Sequence, residues 1–249
     1  MKNSSVALVT GATSGIGVVI AQRLIDSGFR VAVTGRSAER GARVAQQLGE
    51  RAVFLQSDIT IPGESARLAE LVVQELGGLD VLVNNAAIDH TGDLLEVTEA
   101  EIRATFETNT FAAMNLLVAA ARRMRDTGGG AIINVTSRLA SIGVPTMGVY
   151  SASKGAMLAF TKAAAVDLAR YNVRVNAVAP GMTRTPLYQD WLDGLPDPAG
   201  EAARVAAAIP LGRIAEPGDV AAVVNFLASP EAAYLTGVSI PVDGGYLAT

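Results

Sequence analysis

The chain has 249 residues, of which 50% are apolar and 18% charged, with a net charge of −4. That balance excludes a disordered chain, and the mild acidity without any lysine or arginine run argues against a nucleic-acid partner. With no cysteine and a single histidine, His90, disulfides, thiolate nucleophiles and an ordinary zinc site are excluded. No clustered acidic motif proposes another metal.

Short apolar runs alternate with helix-like spacing along the whole length. The runs predict strands at 6–9, 30–34, 52–56, 81–84, 131–136, 173–178 and 238–242, and helices at 16–27, 38–48, 64–76, 99–125, 149–170 and 217–228. Such alternation marks βαβ units and a parallel sheet. One α/β domain over residues 1–249 is expected, since no repeat, linker or low-complexity tract divides the chain. Gly28, Gly49 and Gly77 stand where helices should stop, and Thr108-Asn109-Thr110 should divide or bend the 99–125 segment. The N-terminus leads directly into the 6–9 run, too short for a signal-peptide core, and no apolar run approaches a membrane span. A cytoplasmic protein is the expectation. Residues 183–210 carry Pro186, Pro196, Pro198 and Pro210 around Tyr188 and Trp191, and read as an irregular lid over a binding site.

Three stretches carry chemistry. Thr10-Gly11-Ala12-Thr13-Ser14-Gly15-Ile16-Gly17 lies between the first strand and the first helix. There, glycines let the backbone approach a pyrophosphate at the positive end of a helix. The second strand ends in Gly35-Arg36-Ser37, where an NAD-specific site offers a carboxylate to the ribose. An arginine fork suits a 2′-phosphate instead, with Ser37 adding a hydroxyl, so NADP(H) is favoured over NAD(H). Tyr150 and Lys154 are four apart and share one face of a helix that begins near Gly148, while Ser137 ends the fifth apolar run. An ammonium beside a phenol should pull its pKa down towards neutrality.

With the glycine loop, Asn84-Asn85-Ala86-Ala87, Ser137 and Tyr150-x-x-x-Lys154 in this order, the chain resembles the short-chain dehydrogenase/reductase family. The match extends to Asp58, Asn109, the 180–186 segment and the Asp243-Gly244-Gly245 end, nearly the whole length. The resemblance implies a Rossmann-type, doubly wound sheet of seven mainly parallel strands with helices on both faces. It implies that Gly11, Ser14, Gly15, Ile16 and Gly17 line the pyrophosphate, that Asp58 and Ile59 flank adenine, and that Asn85 and Ala86 run beside the cofactor. Pro180, Gly181, Thr183 and Thr185 would close on the nicotinamide, and Tyr150 and Lys154 would hold its ribose. Tyr150 would be the general acid, Ser137 would orient the carbonyl, and Asn109 would hold a water in a relay through Lys154. A homotetramer is implied as well.

Two departures stand out: Ala87 replaces the family's usual glycine, and Arg138 follows Ser137 where a small residue is common. Arg138 is either a receptor for an anionic substrate group or a solvent-facing arginine. His90 reads as a loop histidine rather than a catalyst, and Arg122, Arg123 and Arg125 as a solvated helix end. The expected function is NADPH-dependent reduction of a ketone, with a 3-oxoacyl thioester among the candidates. The 88–94 loop, the 139–147 segment with Leu139 and Met147 at its ends, and Tyr188 and Trp191 would shape a mainly apolar substrate pocket. An NAD-linked alcohol, polyol or sugar dehydrogenase and a non-catalytic dinucleotide-binding sensor are the alternatives. No membrane or nucleic-acid partner is expected.

Overall fold

The computed structural model describes residues 5–248, so the lead-in at residues 1–4 lies outside them. The strands β1 (Val6–Thr10), β2 (Arg30–Gly35), β3 (Ala52–Gln56), β4 (Val81–Asn84), β5 (Gly130–Val135), β6 (Val173–Pro180) and β7 (Ser239–Val242) form one seven-stranded sheet. Their order is β3-β2-β1-β4-β5-β6-β7 and every pairing is parallel.

The strands are apolar throughout because both faces of the sheet are covered. Ala7 and Val9 of β1 point into one core with Ile20 and Leu24 of α1 (Gly15–Asp26), Val44 of α2 (Ala38–Leu48) and Val224 of α9 (Pro217–Ala228). Leu8, between them, points into the other core. There it meets Leu68 of α3 (Glu64–Leu76), Leu116 of α5 (Ala112–Thr127) and Ala164 of α6 (Gly148–Ala169). Alternate side chains of one strand thus supply two cores.

β1 has β2 on one side and β4 on the other, so successive crossovers leave it in opposite directions. The resulting crevice beyond the strand C-termini is where open α/β sheets bind ligands. A buried amide chain aligns the elements that border it: Asn84 Nδ2 donates to Asn134 Oδ1 at 3.0 Å, and Asn134 Nδ2 donates to Thr161 Oγ1 of α6 at 2.9 Å. With these groups all but removed from water, each amide left unpaired would be costly, so β4, β5 and α6 hold one register.

The segment expected to bend does so. α4 (Glu99–Phe106) passes through a π-helical turn, Glu107–Phe111, into α5. Asn109 anchors that turn, accepting from Ile88 N at 2.8 Å and donating to Ile88 O at 2.9 Å.

Residues 183–210 are not irregular, as expected from their prolines, but carry α7 (Pro186–Asp193) and α8 (Pro198–Ala207). Pro186 and Pro198 open these helices, at the position where a missing N–H costs nothing. Thr185 Oγ1 caps α7 by accepting from Tyr188 N at 3.2 Å, and Asp197 caps α8 by accepting from Gly200 N at 3.0 Å. The prolines are helix starts rather than breaks.

Candidate active site

Beyond the strand ends lie two adjoining cavities of about 430 and 370 Å³, which share Ile16, Asn85, Ala87, Ile88, Thr185 and Leu187 along their border.

The smaller is built by the glycine loop. Gly11 has φ +62°, and a Cβ there would come within 2.7 Å of Ala86 Cα; a Cβ on Gly17 would come within 2.5 Å of Gly11 O. The loop is locked to the β4 exit by Thr10 Oγ1, which accepts from Asn85 N and Ala86 N at 3.0 Å each. Asn85 Nδ2 donates to Thr10 O at 2.9 Å. At the start of α1, Ser14 makes no side-chain cap and no acid stands in the first turn. The free N–H groups and the positive helix end therefore face the cavity unneutralised.

At the far end, Thr34 Oγ1 is buried without a hydrogen-bond partner and lines the same cavity. Arg36 and Arg40 line it too, both exposed and neither ion-paired among the described residues. The Thr60 hydroxyl, 2.7 Å from Asp58 Oδ1, and the Arg36 charge hold the Asp58 carboxyl below its usual range. Unpaired donors, an orphaned hydroxyl and a cradle closed to any side chain fit a phosphorylated dinucleotide.

The larger cavity holds Ser137, Tyr150 and Lys154. α6 begins at Gly148, which puts Tyr150 in its first turn and Lys154 one turn on. Ser153 fixes that turn: its Oγ donates to Tyr150 O at 2.7 Å and accepts from Asn109 Nδ2 at 3.1 Å. Thr110 Oγ1 donates to Ser153 O at 3.1 Å. Lys154 is buried and its Nζ donates to Val135 O at 3.0 Å, tying the helix to the end of β5. Burial pulls the lysine down to about 8.

The phenol departs from the sequence expectation. Burial and the charge of Asp89 push Tyr150 up to about 12, and the Ser137 hydroxyl, hydrogen-bonded to it, pulls only partly the other way. The Lys154 ammonium, 5.7 Å from the ring centroid, does not lower it as expected, because desolvation of the phenolate outweighs a cation at that distance. Tyr150 therefore stays protonated through the neutral range, the state a proton donor requires.

Most of the residues read from the sequence come together here. Gly11, Ser14, Gly15, Arg36, Asp58, Ile59 and Ala86 line the smaller cavity. Pro180, Gly181, Thr183, Leu139, Met147, Tyr188 and Trp191 line the larger, while Ile16, Asn85 and Thr185 line both. Gly17 lies under the loop rather than on the wall. Ser37 lines neither cavity, and its Oγ caps α2, accepting from Arg40 N at 3.3 Å. Asn109 also lies off both walls, its side chain engaged by Ile88 and Ser153.

Arg138 borders the larger cavity, but its guanidinium stacks 3.9 Å from the centroid of the Tyr246 ring. His90 stands off the cavity, its Nε2 3.8 Å from Glu101 Oε1. Sequence reasoning missed Arg40 and Thr34, and placed the 88–94 loop at the pocket without singling out Asp89 as its charged member. The signals were a second arginine in the turn after Arg36, a lone hydroxyl ending an apolar strand, and an acid in the loop that follows Asn85. Among the described residues no metal-ligating group of three or more assembles.

A family model described as enoyl-(acyl carrier protein) reductase matches residues 11–247. An NADP-dependent (R)-specific alcohol dehydrogenase of Lentilactobacillus kefiri is 37% identical over 98% of this chain and 96% of its own length. A solved short chain dehydrogenase/reductase family protein is 37% identical, with TM-score 0.88 over 99% of this chain and 100% of that one. The structure of actinorhodin polyketide ketoreductase with NADPH superposes with TM-score 0.93 at 35% identity, covering 99% of this chain and 98% of that one.

Proposed function

The chain belongs to the short-chain dehydrogenase/reductase family, and from that premise we propose that it is an NADP(H)-dependent ketoreductase that turns a carbonyl into a secondary alcohol. The observation that carries this reading is the meeting of Ser137, Tyr150 and Lys154 in a cavity that adjoins the glycine-loop groove.

In the proposed mechanism, Arg36 and Arg40 hold the 2′-phosphate, and the α1 N-terminus with the Gly11 loop holds the pyrophosphate. The reduced nicotinamide, when bound, supplies hydride to the carbonyl carbon. Ser137 Oγ donates a hydrogen bond to the carbonyl oxygen and orients it. Tyr150 Oη delivers the proton to that oxygen as negative charge develops there. The Lys154 ammonium, held by Val135 O, stabilises the phenolate left behind. Asn109 holds the π-helical turn against α6 and so keeps Tyr150 in place. A water held by Asn109 and relayed through Lys154 returns the proton to the tyrosine.

The apolar wall of Leu139, Met147, Met182 and Trp191 excludes water and suits a ketone with an apolar body. We place the whole chain in one catalytic domain with α7 and α8 as its lid, working as a homotetramer in the cytoplasm. Exposed Phe111, Val118 and Val166 on α5, α6 and the turn before α5 supply apolar surface for such an assembly. A chain without cysteine fits a reducing compartment. A ketone panel followed through the absorbance of reduced nicotinamide, run with NADPH and with NADH, tests the reading. Turnover that ignores the 2′-phosphate would contradict it.

A further inference from the structure

We propose that Asp89 is a specificity-determining residue of the carbonyl site. Its carboxylate turns the cavity towards ketones that are neutral, hydrogen-bond-donating or cationic, and away from ketones that carry a carboxylate. The proposal rests on the ketoreductase reading and deepens it.

The charges around the larger cavity are few. Asp89, Arg138 and Lys154 border it, and the two cations are engaged. Lys154 is buried and bonded to Val135 O, and the Arg138 guanidinium lies against the Tyr246 ring. Asp89 is exposed on the wall and has no ion-pair partner among the described residues. The Thr91 hydroxyl lies 3.5 Å from it, the outer limit of such contacts, and shares its single proton with Met147 Sδ. A carboxylate in that state retains acceptor capacity for a substrate group.

The loop that carries it is held in place. Gly92 N donates to Thr146 O at 3.0 Å, and Thr91 Oγ1 donates to Met147 Sδ at 3.3 Å. These two bonds stitch the Asp89 loop to the segment that leads into α6. Neighbouring His90 is no counter-ion for Asp89, since its Nε2 points to Glu101. The rest of the wall mixes apolar Ile88, Leu139, Val144, Met147 and Leu187 with neutral hydroxyls such as Thr91, Thr146 and Thr183, which give a substrate anion no opposite charge.

Asp89 also stands close enough to the reacting centre for its charge to be felt at the Tyr150 hydroxyl. A ketone whose oxygen meets Ser137 and Tyr150 shares this cavity with the Asp89 carboxylate. An anionic substituent is repelled there and a donor is received; discrimination by repulsion needs no contact with the preferred substrate.

The test uses 4-acetylbenzoate, its methyl ester and 4-(aminomethyl)acetophenone, with wild type, Asp89→Asn, Asp89→Glu and Asp89→Lys. Wild type should favour the ester over the acid, and that kcat/KM ratio should fall about tenfold in Asp89→Asn, further in Asp89→Lys, and hold in Asp89→Glu. Preference for the amine over the ester should fall in the same order. Calorimetric affinities of the three probes for the NADP⁺-loaded protein read the same ratios without turnover. Ratios that move in binding while no variant reduces any probe would uphold the role of Asp89 and remove the ketoreductase reading. Ratios unmoved in binding by Asp89→Asn and Asp89→Lys would overturn the proposal.

Discussion

Lys154 Nζ lies 5.7 Å from the centroid of the Tyr150 ring, one helical turn away, and is fixed there by its bond to Val135 O. Lys154 is buried and Tyr150 half-buried, and each group is shifted by desolvation towards its neutral form, the phenol up to about 12 and the amine down to about 8. The lysine's cost to the fold therefore depends on pH.

The unfolded chain keeps the lysine proton up to about pH 10.5, whereas the folded one releases it near 8. Between those values the unfolded state binds more protons, so stability rises with pH. Below pH 8 both states are protonated and the buried ammonium weighs fully on the fold. Relative to Lys154→Met, wild-type stability should rise by about 1 kcal/mol between pH 7 and pH 9. Above pH 10 the raised Tyr150 acts in the opposite sense, which sets the upper end of the window. Urea midpoints of the two proteins across this range check it; parallel curves would contradict a buried, shifted lysine.

Arg36 stands exposed at the tip of β2, unpaired among the described residues, with Arg40 on the same cavity wall. Replacing Arg36 with Asp removes a charge-assisted fork and adds repulsion. The kcat/KM preference for NADPH over NADH should fall about a hundredfold. Arg40→Ala should lower it only several-fold. Steady-state kinetics with both nicotinamides decides.

Gly17 has no room for a methyl group, since a Cβ would approach Gly11 O to 2.5 Å and Asn85 Nδ2 to 2.7 Å. Gly11 belongs to the glycine loop and Asn85 to the β4 exit locked to it, so neither can yield cheaply. Gly17→Ala should cost about 2 kcal/mol of stability and weaken NADPH binding at least tenfold. Denaturation and a fluorescence titration measure the two effects separately.

Tyr246 occupies the Arg138 guanidinium at 3.9 Å and also packs on the apolar cluster around Tyr188 and Ile214. Tyr246→Ala should free that cation and improve kcat/KM for 4-acetylbenzoate, relative to its methyl ester, about fivefold, in line with the loss of a cation–π contact. Tyr246→Phe, which keeps the ring, should leave the ratio near that of wild type.

The sheet was legible because apolar runs and glycine stops map directly onto strands buried on both faces. The strand predicted at 52–56 is β3 unchanged, and the 38–48, 64–76 and 217–228 helices have their predicted bounds. Residues 183–210 were misread as irregular because proline marks a helix start as readily as a break, and only the Thr185 and Asp197 caps distinguish the two. Tyr150 and Lys154 could be paired from their spacing alone. The direction of the phenol's shift could not be read, since it follows from burial and from the Asp89 charge, both settled by tertiary packing. Ser37 shows the same limit, because a hydroxyl beside a phosphate site and a helix cap look alike in sequence.

In the proposed mechanism Tyr150 is the group that gives its proton to the carbonyl oxygen. The most direct measurement is single-turnover reduction of 4-acetylbenzoate methyl ester by NADPH-loaded Tyr150→Phe, beside a titration of its NADPH affinity. Loss of the chemical step by about 10²–10⁴-fold, with cofactor affinity kept within a few-fold, is the predicted result. A phenylalanine variant that turns over at the wild-type rate would contradict it.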